Sequence, residues 1–187
     1  MIQVDVSDEE KEKCYQFASK IIGGGNQYNR FGQDSQTQIH RTYIGKLAEY
    51  IFLHFLQSRG IDVDEADMFE IWDGPENADD FDFILPNGES IDIKTASLSF
   101  HERIMVPIDQ FQHRKDYYVG IKLHFETTNR GRTIIPESIT RATICGFTTR
   151  EILEKRPIEN FNEGDCKAYQ LRLLTDIEEL IPLFDEP

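Results

Sequence analysis

The chain is poor in cysteine and has no long apolar run. Its 187 residues include three cysteines, widely separated at Cys14, Cys145 and Cys166. An odd number with this spacing excludes a disulfide framework and the usual cysteine zinc sites, and it favours a reducing cytoplasm. No apolar stretch reaches the length that spans a bilayer, and the first residues lack the basic start and apolar core of a secretory signal. We therefore expect a cytoplasmic protein with no membrane partner.

Basic residues are also scarce. Lys and Arg number 20 against 34 Asp and Glu, which gives a formal net charge of −14. A chain this acidic should not attract DNA through its overall field, so any contact with nucleic acid needs a local basic patch. Twelve carboxylates lie between residues 60 and 93 with no Lys or Arg among them, whereas residues 98–155 carry nine basic residues against seven acidic ones. The middle of the chain is where we expect such a patch.

Hydrophobic periodicity predicts an α/β or α+β fold with one central mixed β-sheet flanked by helices. We divide the chain into residues 1–40, an N-terminal helix and a polar loop, and residues 41–187, a single domain. The expected helices cover residues 8–22, 41–58, 149–155 and 176–184. The expected strands cover residues 68–72, 80–85, 90–95, 117–125, 142–148 and 168–174.

A predicted hairpin gathers charged side chains on one face. Asn87 and Gly88 join two alternating runs, which is a strong signal for a hairpin turn. Asp92 and Lys94 are two residues apart on the second strand, so they share a face, as do Asp80 and Asp82 on the first strand. The pairing register, which the sequence leaves open, decides whether Asp82 lies beside Asp92 or beside Lys94.

Clustered carboxylates repel one another unless a cation lies between them. Glu49 falls at the edge of the apolar stripe of the helix predicted over residues 41–58, which could bring a further carboxylate to the sheet. Carboxylate oxygens together with water suit Mg²⁺, which polarises phosphodiesters. The plainer interpretation is a solvated outer face on which Lys94 is an ion-pair partner.

The ordered set of Glu49 on a helix, Asp80 or Asp82 on a strand, and Asp92-Ile93-Lys94 on the return strand resembles the signature of the PD-(D/E)XK nuclease superfamily, which includes many restriction endonucleases. The resemblance spans roughly residues 42–184. It implies a restriction-endonuclease-like core and a metal-dependent endodeoxyribonuclease that hydrolyses phosphodiester bonds. It also implies Mg²⁺, or Mn²⁺ as a substitute, held by Asp82 and Asp92 and assisted by Glu49 and Lys94, with Asp80 as the alternative to Asp82.

For this function the expected partner is nucleic acid, with DNA preferred, and a homodimer or partner subunit where both strands are cut. Lys122 and Thr95, close to the motif, are further candidates. Phosphate contacts, which do not depend on base sequence, are expected from Arg30, Arg41, Arg103, Arg114, Lys115, Arg130 and Arg132. The alternative function, based on the −14 charge, is an acidic DNA mimic or protein-interaction module without catalysis. A third is a nuclease-like module that binds without cutting.

Overall fold

The computed structural model describes residues 1–23, 34–69, 82–125, 138–161 and 164–185. Its helices are α1 (Asp8–Gly23), α2 (Ser35–Ser58), α3 (Ile108–Gln112) and α4 (Arg150–Glu154). Its strands are β1 (Ile2–Asp5), β2 (Phe83–Ile84), β3 (Ser90–Ala96), β4 (Arg103–Pro107), β5 (Tyr117–Phe125), β6 (Ile139–Thr149), β7 (Ile158–Phe161) and β8 (Gly164–Gln170). Short 3₁₀ turns follow at Asp67–Phe69, Leu171–Leu173, Ile177–Glu179 and Ile181–Phe184.

Within the described residues the strands form two sheets. The larger sheet is mixed and has the order β1-β6-β5-β3-β2, in which β3 and β5 are parallel and the other pairs antiparallel. The smaller sheet has the order β4-β8-β7. The parallel pair requires a crossover, and β4 and α3 lie within it. The predicted α/β class with a mixed sheet flanked by helices is confirmed, and the larger sheet is curled. The second, smaller sheet was not expected, because a single central sheet was predicted.

Helix α2 covers one face of the larger sheet, and α1 packs against α2. Ten side chains of α2 are buried, among them Tyr43, Leu47 and Phe52, and each fully buried side chain of this size contributes about 1.5–3 kcal/mol of transfer free energy. The helix begins where the Asp34 carboxylate accepts a hydrogen bond from the Thr37 amide at 3.0 Å. It ends before Gly60, whose φ of +82° suits a residue without a Cβ.

The other face of the larger sheet packs against the smaller sheet, α3 and α4. Ile104, Val106, Tyr118 and Leu153 are buried in this second core. Two glycines of the larger sheet allow residues 174 and 175 to pack close to its backbone. A Cβ on Gly120 would lie 2.6 Å from a methyl carbon of Leu174, and one on Gly146 would lie 2.1 Å from the carbonyl oxygen of Thr175.

The predicted hairpin is present, with a short first arm. The amide of Gly88, which has a φ of +85°, donates to the Leu85 carbonyl at 2.8 Å, and the Leu85 amide donates to the Glu89 carbonyl at 2.8 Å. Of the strand expected over residues 80–85, only Phe83–Ile84 are in the ladder, and residues 70–81 lie outside the described part of the chain.

Several predicted boundaries were wrong. The core helix starts at Ser35, so residues 35–40 are helical and not part of a loop. Residues 67–69 form a 3₁₀ turn where a strand was expected, because a short apolar run does not distinguish the two. The last strand is Gly164–Gln170, and its expected end and the helix after it are 3₁₀ turns. In the described residues, no helix combines the length and apolar character needed to cross a membrane.

Candidate functional site

The hairpin register places Asp82 opposite Asp92. Phe83 pairs with Ile91, so the preceding residue of β2 falls level with the following residue of β3. The Asp82 amide donates to the Ile91 carbonyl at 3.1 Å, and its carboxylate accepts a hydrogen bond from the Ile93 amide at 2.6 Å. This decides the alternative that the sequence left open, and it fixes the Asp82 carboxylate at the edge of β3. Asp80 lies outside the described residues.

Asp92 and Lys94 form an ion pair on the face of β3 away from α2. Lys94 Nζ is 2.5 Å from Asp92 Oδ2, and the two side chains are 14% and 16% exposed. The same ammonium donates to Oε1 of Gln110 on α3 at 3.1 Å. Lys94 is therefore held between one carboxylate and one neutral amide.

Glu49 approaches from α2, on the other side of the sheet. Its Oε2 is 2.5 Å from Lys46 Nζ, and the Glu49 side chain is 18% exposed, as expected for a residue at the edge of the apolar stripe. Lys46 also donates to the Met68 carbonyl at 3.0 Å. Glu49 thus brings its own counterion, and Lys94 has a different partner.

The Asp82 carboxyl, just before the edge strand β2, is influenced by the other two carboxylates. Burial raises the pKa of the Asp82 carboxyl well above its usual range, and the nearby Glu49 and Asp92 carboxylates raise this pKa further. The Ile93 amide and the Lys94 ammonium act in the opposite direction. The pKa of Asp82 therefore depends on charged groups from both faces of the sheet: Glu49 on one side, and Asp92 and Lys94 on the other.

Three buried side-chain oxygens of the described residues have no hydrogen-bond partner: Asp92 Oδ2, Tyr118 Oη and Thr148 Oγ1. The close contact of Asp92 Oδ2 with Lys94 is an ion pair without hydrogen-bond geometry. Asp92 pairs with Tyr118 across β3 and β5, and Tyr118 pairs with Thr148 across β5 and β6. Burial followed by the Asp92 charge raises the pKa of Tyr118 to about 12. Asp92, Tyr118 and Thr148 therefore form a polar row across β3, β5 and β6, on the face that carries the second core.

The chemistry of these side chains fits a hard divalent cation held by few protein ligands. Within the described ranges no cluster of three or more His, Cys, Asp or Glu is arranged to hold a metal ion. Asp82 and Asp92 supply two carboxylates that interact electrostatically, although Asp92 Oδ2 is already paired with the Lys94 ammonium. Mg²⁺ commonly binds one or two protein carboxylates and keeps several waters. The residues that could hold such an ion are Asp82 and Asp92, with Glu49 close enough to interact electrostatically.

Replacing Asp82 with asparagine is expected to stabilise the protein in EDTA at pH 8. Because the Asp82 pKa is raised on folding, wild-type stability falls as the pH rises above the unfolded pKa of about 3.9 and stops falling above the folded pKa. Asp82→Asn removes this penalty, so its advantage should be absent well below pH 4 and largest in alkali. Melting curves from pH 3 to 9 measure it, and each kcal/mol is worth about 2–4 °C for a chain of this size.

The matched control is Asp62→Asn, which removes the same charge from an exposed position and should leave the pH dependence unchanged. Equal melting temperatures for wild type and Asp82→Asn across the whole range would contradict a strained carboxylate at this position.

The structure describes four of the seven residues expected to contact phosphate. Arg41 is exposed on α2, Arg103 is 2.7 Å from Glu159, and Arg114 is 3.6 Å from Asp116 with 83% of its side chain exposed. Lys115 is buried, with 8% exposed, so it does not belong to an open basic surface. Arg30, Arg130 and Arg132 lie outside the described residues. Of the two further candidates, Lys122 lines a separate cleft, and Thr95 is on β3.

Gln110 is the site residue that sequence reasoning missed. It lies on a helix of five residues inside the crossover, and the segment around it has no periodic signal. Its contact with Lys94 depends on the β3–β4–α3 path, which brings residues 16 positions apart together. The sequence offers one indication of this contact, which is a polar residue that follows the charged strand motif by 16 positions.

Comparisons with known proteins give no assignment. No family model, no curated protein and no solved structure matches this chain.

Proposed function

We propose that the protein is a Mg²⁺-dependent nuclease that hydrolyses phosphodiester bonds, with DNA as the expected substrate. The observation that carries the proposal is the hairpin geometry, which sets Asp82 opposite Asp92 and holds Lys94 Nζ 2.5 Å from Asp92 Oδ2. Further support comes from the mixed sheet with a parallel β3–β5 pair and from the helix α2 that carries Glu49. These features agree with the core that the PD-(D/E)XK resemblance implies, with Asp82 as the preferred motif aspartate and Asp80 as the alternative.

In this function Asp82 and Asp92 would hold the Mg²⁺. When bound, the ion supplies charge stabilisation for the phosphodiester and for the departing oxygen. The Ile93 amide keeps the Asp82 carboxylate in place, and Lys46 balances the charge of Glu49. Lys94, fixed by Asp92 and Gln110, would present its ammonium to the anionic phosphate, where a preorganised charge stabilises the additional negative charge of the transition state.

The net charge of −14 argues for substrate binding through a limited surface. At the site Lys94 and Lys46 already have the carboxylate partners Asp92 and Glu49, so few phosphates would be neutralised there. We therefore expect weak binding to DNA with a shallow dependence on salt, because each neutralised phosphate contributes to the slope of binding against salt.

The test is incubation of purified protein with supercoiled plasmid, linear duplex DNA, single-stranded DNA and RNA in Mg²⁺, Mn²⁺ or EDTA. Cleavage is expected with either metal and none with EDTA. Mg²⁺ should also raise the melting temperature of wild type by mass action on a folded-state site, and much less that of the Asp82→Asn/Asp92→Asn double variant.

Cleavage of RNA and not of DNA would support metal-dependent phosphodiester hydrolysis and would replace DNA with RNA as the substrate. No cleavage and no melting shift with either metal would reject the nuclease. Binding of a basic protein partner under those conditions would favour the acidic interaction module.

A further inference from the structure

A cleft separate from the candidate site lies on the same face of the larger sheet as Lys94, further along β5. It has a volume of about 580 Å³, within the range of sites for small ligands. Lys122 and His124 of β5 and Thr143 and Cys145 of β6 contribute to it. Gly120, the register partner of Lys94, lies between the two sites under the packed side chains of Leu171 and Leu174, with Leu171 also lining the cleft.

One lysine and one arginine of this cleft, Lys122 and Arg172, form no ion pair with a described carboxylate. Lys122 donates to the backbone carbonyls of Ser99 and His101, both at 3.2 Å, and Arg172 Nε donates to Oε1 of Gln170 at 2.8 Å. These neutral acceptors position the cations and leave their charge in place. In a chain with 34 acidic and 20 basic residues, cations held in this way are available to an external anion.

The surroundings of His124 show the same positive character. Its Nε2 is 2.7 Å from Thr143 Oγ1, and Arg141 is its register partner on β6. Burial lowers the pKa of His124, and the charges of Lys122 and Arg141 lower it further. The ring is therefore neutral near pH 7 and can exchange hydrogen bonds with a ligand without adding charge.

The remaining lining combines apolar and polar side chains. Leu171 and Cys145 are buried side chains beside Gln3 and Gln170, and the described carboxylate there, Glu102, is exposed. A ligand that satisfies this lining has an anionic group and a body with both apolar and hydrogen-bonding surface. Arg and Lys are the usual partners of phosphate, through a fork of donors and a point charge respectively.

We propose that this cleft binds one nucleotide unit, with its phosphate against Lys122 and Arg172 and its base against Leu171 and Cys145. The phosphate follows from the unbalanced cations alone, whereas the choice of a nucleotide over other organic phosphates rests on the proposed function. The same chemistry is offered by a free nucleoside monophosphate and by the phosphorylated end of a nucleic-acid strand.

The test is isothermal titration calorimetry in EDTA, which removes any contribution of a divalent ion at Asp82 and Asp92. The ligands are thymidine monophosphate, thymidine, inorganic phosphate and a short 5′-phosphorylated single-stranded oligonucleotide. The proteins are wild type, Lys122→Gln, Arg172→Gln and, as a matched control, Lys155→Gln, which removes a cation paired with Glu151 on α4.

Thymidine monophosphate is expected to bind more tightly than thymidine or phosphate alone. Lys122→Gln and Arg172→Gln should each weaken binding by about tenfold, the loss of one charge-assisted hydrogen bond, and Lys155→Gln should not change it. If the two cleft variants also lose affinity for the oligonucleotide, the ligand is the phosphorylated end of a strand. If only the monophosphate binds, the ligand is the free nucleotide.

Equal binding of thymidine and its monophosphate, unchanged affinity in both cleft variants, or no binding by wild type would each overturn the proposal. The wild-type protein separates the two proposals. Nucleotide binding by a wild type that cleaves no nucleic acid would keep the cleft and reject the nuclease, whereas cleavage by a wild type that binds no nucleotide would reject the cleft only. The Asp92→Asn variant should lose cleavage and keep nucleotide binding.

Discussion

Replacing Lys94 with alanine is expected to reduce Mg²⁺-dependent cleavage by about 10²–10⁴-fold, the usual effect of removing one preorganised charged group. Lys94 is the ammonium beside Asp92, and its position is fixed from two sides. The measurement is the rate of plasmid cleavage at saturating metal. Lys155→Ala, which removes an exposed ammonium, should cleave at the wild-type rate.

Unfolding must be separated from lost chemistry in this experiment. Lys94→Ala leaves the Asp92 carboxylate without its counterion in a mostly buried site, so a lower melting temperature is expected. The double variant Asp92→Asn/Lys94→Met removes both charges and should regain stability while remaining inactive. Wild-type cleavage by Lys94→Ala would show that Lys94 has no part in the reaction.

Gln110 should have a smaller effect of a different kind. Gln110→Leu removes the neutral anchor of Lys94 and leaves the Asp92 ion pair. We expect kcat to fall by about tenfold, the value of one hydrogen bond to a charged group, with KM little changed. A Gln110→Glu variant, which keeps an acceptor for the ammonium, should recover part of the rate. A change in KM alone would indicate substrate contact and not positioning.

The second large effect is expected at Gly146, where alanine should destabilise the fold by about 3–5 kcal/mol. Gly146 has a φ of +133°, and a Cβ there would lie 2.1 Å from the Thr175 carbonyl oxygen. That carbonyl accepts a hydrogen bond from the Phe147 amide at 3.0 Å, so it cannot move away without losing the contact. Chemical denaturation of the two proteins measures the difference.

Two other glycines calibrate this result. Gly45 lies in α2 with no atom within 4 Å of a Cβ, so Gly45→Ala should stabilise the protein by about 0.5–1 kcal/mol through helix propensity. Gly88 has a φ of +85° and open space, so Gly88→Ala should cost only the strain of the turn, about 1–2 kcal/mol. A Gly146→Ala protein as stable as Gly88→Ala would show that the segment at Thr175 yields easily.

The features that were predicted from sequence are those determined by neighbouring residues. The stripe of α2, the short helix α4 and the turn at Gly88 each depend on a few consecutive side chains. The short strands β1, β4 and β7 were missed because alternation over four or five residues is common by chance, and their partners are distant in the chain.

The candidate site was predictable to the same extent. The grouping of Asp82 with Asp92 required only a hairpin, although the register needed the structure. The counterion of Glu49 and the contact of Gln110 with Lys94 depend on how α2 and the crossover fold over the sheet. Periodicity contains no information about such contacts, because it describes which face is buried and not which atoms meet.

The pairing of β4 with β8 has a consequence for the order of folding. Strand β4 lies in the crossover that leads to Gln110, whereas its partner β8 is Gly164–Gln170, near the end of the described chain. A ribosome releases the hairpin with Asp92 and Lys94 long before it has made β8, and such long-range pairings form slowly. The nascent protein would thus contain its charged hairpin early, and the sheet that supports the crossover with Gln110 would form only after residues 164–170 have been made.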